Sequence, residues 1–335
     1  MMKIFIPYEK QTSREMFGGS RLRKIIKGEC EVAGIPWVDR FVSGPDIAHL
    51  LSPREENVLI DMRWRNIPVV VSAFYCENDP SAAFLDPKAA SKPALSSRAI
   101  RFLNRASLVL VPNETMKTLC LSFGIRVPVK VHPASINLSR FAPDSVERDV
   151  FPRYFGIRPE DHIAVSTGEY GDRASLRLLR ALAIACPETE FYFFGSTRRA
   201  PVKLAIRSTA HGAPRNLHFQ SIVQDDVYRS ALLRADAYIL LDSKRTESVS
   251  VLEAFAAKAQ VIALHDQKSE PLVKNGETAW VVESVEEAAE SLRALYSDKG
   301  KSTIIPAYRV AESRSLQCVA ANLRGIYESL LMEHA

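Results

Sequence analysis

The stretch that decides the fold is Ser230–Asp266, which reads SALLRADAYILLDSKRTESVSVLEAFAAKAQVIALHD. It contains two short apolar runs without alternation, Ala237–Leu241 and Val261–Leu264. Such runs are typical of parallel strands covered on both faces. The segment between them predicts a helix that begins near Ser248 and carries Glu253 about two turns in. The stretch therefore predicts a strand, a loop, a helix and a second parallel strand.

The loop Asp242–Ser248 is the candidate ligand site of this unit. It follows the carboxyl end of a strand and precedes a helix N-terminus. Ligands bind at that edge of open α/β sheets, and free N–H groups there suit phosphate or sugar oxygens. An ordinary βαβ unit with solvated Lys244, Arg245 and Glu247 fits the same residues. The loop chemistry by itself leaves both interpretations open.

The second half of the stretch resembles a known motif. Leu252–Ala256 (LEAFA) and Gln260–Ala263 (QVIA) are similar to the donor-sugar motif of the retaining GT-B glycosyltransferases of the group-one family, family 4. The first half departs from that motif. The family spaces two glutamates with seven residues between them, which places Arg245 at the first position, and Glu247 is the nearest acid. Thr246 and Ser248 replace the expected glycines.

The resemblance extends along most of the chain, and it is strongest over residues 106–141 and 216–282. It implies an α/β protein of GT-B architecture, with two Rossmann-like, doubly wound parallel-sheet domains facing across a cleft. We expect an acceptor domain over residues 1–145 and a nucleotide-sugar donor domain over 146–311. A C-terminal helix over 312–335 is expected to cross back to the first domain. Asp144–Phe155 is the expected linker between the domains.

The resemblance also implies roles for individual residues. Glu253 would bind the donor ribose, while Glu247 and the Thr246–Val249 amides would meet the sugar and diphosphate. Arg173, near a lysine position of the family, and Gly19 would stabilise charge on the leaving group. Arg173 as a solvated residue at a helix start is the alternative, and Glu169 occupies the family's arginine position. The other expected donor-binding residues are Gly18, Gly195, Ser196, Val223, Ser248 and Val249, and Tyr75 stands near a family histidine that contacts the transferred sugar.

Composition restricts the class of protein. A chain of 335 residues, 47% hydrophobic, is long enough for two domains with full cores. Five scattered cysteines suggest reduced thiols, and neither a membrane-spanning run nor a signal peptide is expected. The histidines lack metal-ligand spacing, and the resemblance to GT-B enzymes implies that neither a metal nor a cofactor is needed. We therefore expect a cytoplasmic chain.

Positive charge concentrates in the first part of the chain. Residues 1–145 hold 20 Lys and Arg against 14 Asp and Glu. A basic face favours an anionic partner, here an anionic membrane surface on the inner face of the membrane, although a solvated helix face explains the charge as well. Nucleic acid is the weaker expectation, because no nucleic-acid module signature is present. The expected face comprises Arg14, Arg21, Arg23, Lys24 and Lys27.

These observations favour a retaining glycosyltransferase that moves a sugar from a nucleotide-diphosphate donor to a glycan or lipid-linked acceptor, as in cell-surface polysaccharide biosynthesis. The alternative is a non-catalytic GT-B module, either a nucleotide-sugar binder or a partner subunit of an active transferase. Glu169, the missing first glutamate and the missing histidine favour that alternative. A transferase acting on nucleic acid or protein is a third, weaker hypothesis.

Overall fold

The computed structural model describes residues 2–8, 19–41, 44–73, 84, 95–142, 148–196, 202–220, 225–241, 249–264, 271–297 and 302–334. The chain divides into two compact units. The first unit comprises Met1–Asn137, Lys244–Val249 and Arg314–Ala335, and the second comprises Leu138–Ser243 and Ser250–Ser313.

The first unit is a six-stranded parallel sheet in the order β2-β1-β3-β4-β5-β6, flanked by helices. Its central strands are mostly apolar and are buried along their length, as expected for a sheet covered on both faces. The strands are β1 (Ile4–Phe5), β2 (Trp37–Val38), β3 (Ile47–Leu50), β4 (Val69–Ser72), β5 (Leu108–Val111) and β6 (Val129–Val131). The helices are α1 (Gly19–Val32), α2 (Glu56–Trp64), α3 (Ser97–Leu103) and α4 (Glu114–Ser122).

The second unit is also a six-stranded parallel sheet, in the order β12-β11-β10-β7-β8-β9. Its strands are β7 (His162–Glu169), β8 (Thr189–Ser196), β9 (Leu217–Gln220), β10 (Ala237–Leu240), β11 (Gln260–Leu264) and β12 (Trp280–Val282). Its helices are α5 (Val150–Phe155), α6 (Arg173–Ala185), α7 (Val202–Ala210), α8 (Asp225–Arg234), α9 (Val249–Ala256), α10 (Val285–Tyr296) and α11 (Ile304–Ser313). The prediction of doubly wound parallel sheets is confirmed in both units.

The C-terminal helix predicted over residues 312–335 begins at Leu316, and a separate helix precedes it. α11 ends at Ser313, and α12 (Leu316–His334) follows after Arg314 and Ser315. The break coincides with a bridge between Ser315 and Ile136, in which backbone N–H groups of both segments donate to carbonyl oxygens of the other. α12 then packs against α1 within the first unit, as the crossing helix was predicted to do.

The segment predicted as a linker is partly a helix of the second unit. α5 buries Phe151 completely, with its ring against Phe155 and Tyr192 at centroid distances of 5.1 and 4.9 Å. The Phe151 amide donates to Ser230 Oγ at 2.9 Å. Aromatic side chains on one short helix supply apolar area that a solvated linker would expose. Part of the expected linker Asp144–Phe155 is therefore a packed helix that belongs to the second unit.

Among the described residues, none of the helices combines the length and the apolar character needed to cross a bilayer.

Candidate functional site

The order of strands in the second unit identifies where a ligand would bind. β7 starts this unit and lies between β8 and β10, so the chain winds outward in both directions from the β7–β10 pair. Such a switch point opens a crevice outside the carboxyl ends of the two strands. The residues that follow β7 and β10 therefore form the candidate site.

Three residues after the end of β7, Asp172 caps α6. One of its carboxylate oxygens accepts hydrogen bonds from the amides of Ala174 at 3.1 Å and Ser175 at 3.2 Å. The other accepts from Ser175 Oγ at 2.7 Å. The Arg173 amide donates to the carbonyl oxygen of Gly171 at 3.1 Å, so the first amides of α6 all have acceptors within the protein. A phosphate at this helix start would have to displace the Asp172 carboxylate.

The same helix start is connected to the end of β10. Ser175 Oγ also lies within hydrogen-bond distance of the Leu241 carbonyl oxygen, at 3.3 Å. Leu241 is the residue from which the predicted donor loop departs. The structure therefore brings Arg173, whose side chain is exposed at the first position of α6, to the crevice where the Asp242–Ser248 loop begins.

Two glycines pair across the ends of β7 and β8, Gly168 with Gly195. A Cβ at Gly195 would lie 2.5 Å from the Phe193 ring and 2.7 Å from the Tyr170 ring. Tyr170 is buried, and its hydroxyl donates to the Gln220 carbonyl oxygen at 2.7 Å, which fixes the ring. Burial also raises the pKa of the Tyr170 phenol well above its usual range. Packing of the Phe193 and Tyr170 rings therefore requires glycine at position 195, and a donor-binding role for Gly195 stays a prediction.

Glu253 is the buried acid of the candidate site. It lies in α9, the helix that connects β10 to β11, and it is only 2% exposed. Val249, the first residue of the same helix, is also buried. A carboxylate at this depth is retained in folded proteins when it meets a hydrogen-bonding or charged partner. Glu253 lies on the helix that follows the switch strand β10, and its predicted role in binding the donor ribose stays a prediction.

The ends of β1 and β3 are joined in the first unit by a buried ion pair. Arg23 donates from Nη1 to the Pro7 carbonyl oxygen and from Nη2 to Glu55 Oε1, the latter at 2.8 Å. Glu55 Oε2 accepts from the Leu51 and Ser52 amides at 2.7 and 3.0 Å. Arg23 is 6% exposed as a result. The sequence interpretation of Arg23 as part of a solvent-facing basic surface was wrong.

Lys27 also turns away from that predicted surface. Its Nζ lies 3.5 Å from Asp39 Oδ2 and 4.0 Å from the centroid of the Trp37 ring. Both interactions draw the ammonium group onto the protein. Lys24 is exposed, whereas the side chains of Arg14 and Arg21 lie outside the described residues. The predicted basic face is therefore not presented to solvent as a whole, because Arg23 is buried and Lys27 is paired.

Several predicted site residues fall outside the described part of the chain, and their roles stay predictions. Of the others, Gly19 begins α1 in the first unit, and Ser196 ends β8 in the second. The predicted residues outside the described ranges are Gly18, Tyr75, Val223, Thr246, Glu247 and Ser248.

The sequence interpretation missed two residues of this site. Asp172 stands directly before an apolar, helix-forming run, which is the position that an N-cap residue prefers, so a capping signal was present. Tyr170 had no local signal, because its role arises from the packing of three separate strand ends.

Comparison with known proteins locates the family resemblance in the second unit. Residues 163–298 match the model of the family described as "Glycosyl transferases group 1". This range begins in β7 and extends beyond α10, so it contains both strands of the switch point and Glu253.

One curated relative and several solved structures match nearly the whole chain. The processive diacylglycerol alpha-glucosyltransferase of Acholeplasma laidlawii is 21% identical, with coverage of 98% of this chain and 99% of that protein. Sucrose-phosphate synthase from Thermosynechococcus elongatus has a TM-score of 0.74 at 12% identity, covering 99% of this chain and 100% of that one. HepE from Anabaena, in complex with UDP and glucose, has a TM-score of 0.72 at 16% identity, covering 98% and 100%.

The two structural likenesses establish the fold, which is the two-sheet GT-B architecture that the sequence predicted. The family match covers the unit that carries the candidate site. Residues 163–298, which form most of the second unit, are therefore a domain of the group 1 glycosyl transferase family.

Proposed function

We propose that the protein is a retaining glycosyltransferase that moves a sugar from a nucleotide-diphosphate donor to a glycan or lipid-linked acceptor. The observation that carries the proposal is the burial of Glu253 on α9, directly after the switch-point strand β10. A ribose that reached this carboxylate would offer two hydroxyl donors to an acceptor already held out of water, where charge-assisted hydrogen bonds are strong.

The donor site would form at the carboxyl ends of β7, β8 and β10. Glu247 and the amides of residues 246–249 would meet the sugar and diphosphate, and Arg173 would neutralise the departing phosphate. Gly195 and Ser196 end the strand that would line the nucleoside pocket. HepE has been solved with UDP-glucose as well as with UDP, which supports a uridine-diphosphate sugar as the first donor to test. We expect transfer to require neither a metal nor a cofactor.

The acceptor proposal draws on the curated relative, whose printed name describes transfer of glucose to diacylglycerol. A lipid acceptor would require the protein to work at a membrane surface, and a peripheral, cytoplasmic location would provide that access. An acceptor of this kind is therefore proposed ahead of a soluble glycan.

The proposal is tested by incubating the purified protein with a panel of nucleotide sugars and vesicles that contain diacylglycerol. We expect one nucleoside diphosphate to be released, together with a glycolipid whose anomeric configuration matches that of the donor. Inverted product would contradict retention. Release of nucleotide without glycolipid would contradict the lipid acceptor, and a soluble glycan acceptor would then be tested.

A non-catalytic module is the second candidate, and Asp172 is the observation that favours it. The carboxylate already occupies the amides of the α6 N-terminus, close to the place where a donor diphosphate would lie. Glu169 adds a second acid at the end of β7. Under this alternative the protein binds a nucleotide sugar, or stabilises a partner transferase, without turnover. Absence of nucleotide release with every donor of the panel would favour it.

A further inference from the structure

The end of α2 in the first unit exposes apolar side chains next to arginines. Trp64, the last residue of α2, is 85% exposed, although tryptophan is among the most strongly buried side chains on average. Ile60 lies one turn earlier on the same helix face and is 37% exposed. The two apolar side chains, with Arg63 and Arg105, line an open concavity of about 570 Å³.

Arginine side chains surround these apolar groups. Arg105 pairs with Glu56 at 3.1 Å, and Arg98 approaches the same carboxylate at 3.5 Å. Arg65 pairs with Asp61 at 3.1 Å. Five arginines therefore stand against two carboxylates on this surface, named here the Trp64 surface. Its members are Ile60, Arg63, Trp64, Arg65, Arg98, Arg101 and Arg105, with Glu56 and Asp61 as counter-charges.

Two of these arginines have no carboxylate beside them among the described residues, so their charge is available to a binding partner. Within the described ranges Arg63 and Arg101 make no ion pair, and Arg63 only donates to the Arg105 carbonyl oxygen at 3.0 Å. Both side chains are exposed. Arg65, in addition, lies 4.6 Å from the centroid of the Phe41 ring, which holds a further exposed aromatic side chain beside the patch.

We propose that the Trp64 surface docks on an anionic phospholipid bilayer. Tryptophan prefers the boundary between headgroups and hydrocarbon, where its ring is apolar and its N–H remains hydrated. Arginine adds attraction to lipid phosphates, which its planar guanidinium can contact through two hydrogen bonds. An exposed Trp and an exposed Ile lie among five arginines that outnumber the two carboxylates, so the surface offers an apolar group to the hydrocarbon and positive charge to the headgroups. A nucleic acid would use the charges but would leave the aliphatic Ile60 side chain without a role.

The position of the surface within the first unit separates it from a ligand site. α2 ends shortly before β4, and Arg105 precedes β5, so Arg63, Trp64 and Arg105 lie toward the amino-terminal edge of the sheet. Glu56 and Arg98, by contrast, belong to the starts of α2 and α3. Ligands in such sheets bind at the opposite, carboxyl edge. Docking through this surface would hold the protein at the membrane without covering the carboxyl edge. The function of this docking rests on the proposed lipid acceptor, since it would bring the protein to the membrane that contains the acceptor. Binding of the Trp64 surface to the bilayer itself requires neither donor nor acceptor.

The test measures vesicle binding by the full chain in the absence of any nucleotide sugar. The variant Arg63→Gln, Trp64→Ser, Arg105→Gln removes two charges and the exposed ring. The matched control, Lys203→Gln, Leu204→Ser, Arg207→Gln, makes the same kind of change on α7, where Leu204 is 60% exposed. The vesicles contain phosphatidylcholine with or without about 30% phosphatidylglycerol, at physiological ionic strength.

We expect the Trp64 variant to bind anionic vesicles about thirtyfold more weakly than the unsubstituted protein from its two lost charges alone. The control variant should bind normally, and neutral vesicles should bind neither protein well. Tryptophan emission should shift to shorter wavelength with anionic vesicles, and Trp64→Phe should abolish that shift. Equal binding by the Trp64 variant and the unsubstituted protein would overturn the proposal.

Two further outcomes would also overturn it. One is an equal loss of binding in the control variant, since the effect would then reflect net charge. The other is a Trp64 variant that binds a random-sequence RNA more weakly than the unsubstituted protein but binds vesicles equally well. That result would identify nucleic acid as the partner. All substituted side chains are solvent-exposed, so we expect both variants to fold, and a thermal melt verifies this before the binding assay. Failure of the donor panel with intact vesicle binding would refute the proposed transfer and leave this surface standing.

Discussion

His49 Nδ1 lies 2.6 Å from the hydroxyl oxygen of Tyr327, across 278 positions of sequence. The other ring nitrogen of His49 lies 2.8 Å from Ser72 Oγ. His49 belongs to β3, Ser72 to β4 and Tyr327 to α12, so one buried imidazole joins two strands to the last helix of the chain. A neutral imidazole has one donor and one acceptor nitrogen, which both neighbours can satisfy.

Burial lowers the pKa of His49 to about 3, and the charges of His132 and Arg23 act in the same direction. Unfolded histidine titrates near 6.5, so between these values the unfolded chain binds a proton that the folded chain excludes. The free energy of unfolding is therefore highest above about pH 6.5 and falls as the pH decreases toward 3, by at most about 1.4 kcal/mol per pH unit.

Urea denaturation between pH 7.5 and pH 4.5 measures this effect, since His49→Gln removes the titration but keeps a polar side chain. We expect the variant to be less stable at neutral pH and to lose less stability on acidification. Exposed His211 is the control, and His211→Gln should follow the unsubstituted protein. Parallel pH profiles for all three proteins would contradict the assignment.

Tyr327→Phe removes the hydroxyl that meets His49 while keeping the ring in the core. A buried ring nitrogen left without its partner costs about 1–3 kcal/mol. Chemical denaturation should show a loss of stability in that range. Tyr154 is exposed, and Tyr154→Phe should change the free energy of unfolding by less than about 0.5 kcal/mol. An equally small effect of both substitutions would mean that the His49–Tyr327 hydrogen bond is not formed in solution.

Gly195→Ala should destabilise the second unit, because the added methyl group would collide with the Phe193 and Tyr170 rings. Tyr170 cannot swing away cheaply, since its hydroxyl is held by the Gln220 carbonyl. The expected loss is about 1–3 kcal/mol. Gly171 has free space around it, so Gly171→Ala is the matched control and should be neutral. Equal stabilities of the two variants, by thermal melting, would refute the close packing over Gly195.

Asp172 gives a test of whether phosphate binds at the start of α6. Asp172→Asn keeps a side-chain oxygen for the cap but removes the negative charge, so stability should change little. Removing a like charge beside the diphosphate should improve nucleoside diphosphate affinity by roughly 1 kcal/mol. Asp172→Ala should lose about 0.5–2 kcal/mol of stability with the cap. Calorimetric titration checks the affinities, and unchanged binding by Asp172→Asn would place the diphosphate elsewhere.

Glu253→Gln should weaken nucleotide binding and turnover together, if this carboxylate accepts hydrogen bonds from the ribose. The loss of a charged acceptor costs about 1.5–3 kcal/mol, or one to two decades in affinity. Glu247→Gln should lower kcat with nearly unchanged nucleoside diphosphate affinity, because its proposed contact is to the sugar. Arg245→Ala is the comparison: if it abolishes turnover and Glu247→Gln does not, the assignment of Glu247 is wrong.

The sequence predicted the parts of the site whose signals are local. Glu253 belongs to a helix between two apolar runs, which periodicity indicates. Asp172 stands in an N-cap position, a signal that was present in the sequence but was missed. Nothing in the sequence indicated that the Tyr170 ring packs over Gly195, because that contact forms only where the ends of three strands meet. Glu247 and Tyr75, outside the described residues, remain predictions.

By itself the sequence determined the alternation of strands and helices, because apolar runs and caps act within a few residues. The helix Val285–Tyr296, for example, begins directly after its capping residue Ser284. Only the tertiary structure decided that Arg23 is buried against Glu55 and that His49 meets Tyr327. From the sequence alone, a charged or polar side chain is expected to be solvated, because the partner that packs against it is remote in sequence. That partner is supplied by strand order and by the return of α12, which no local pattern encodes.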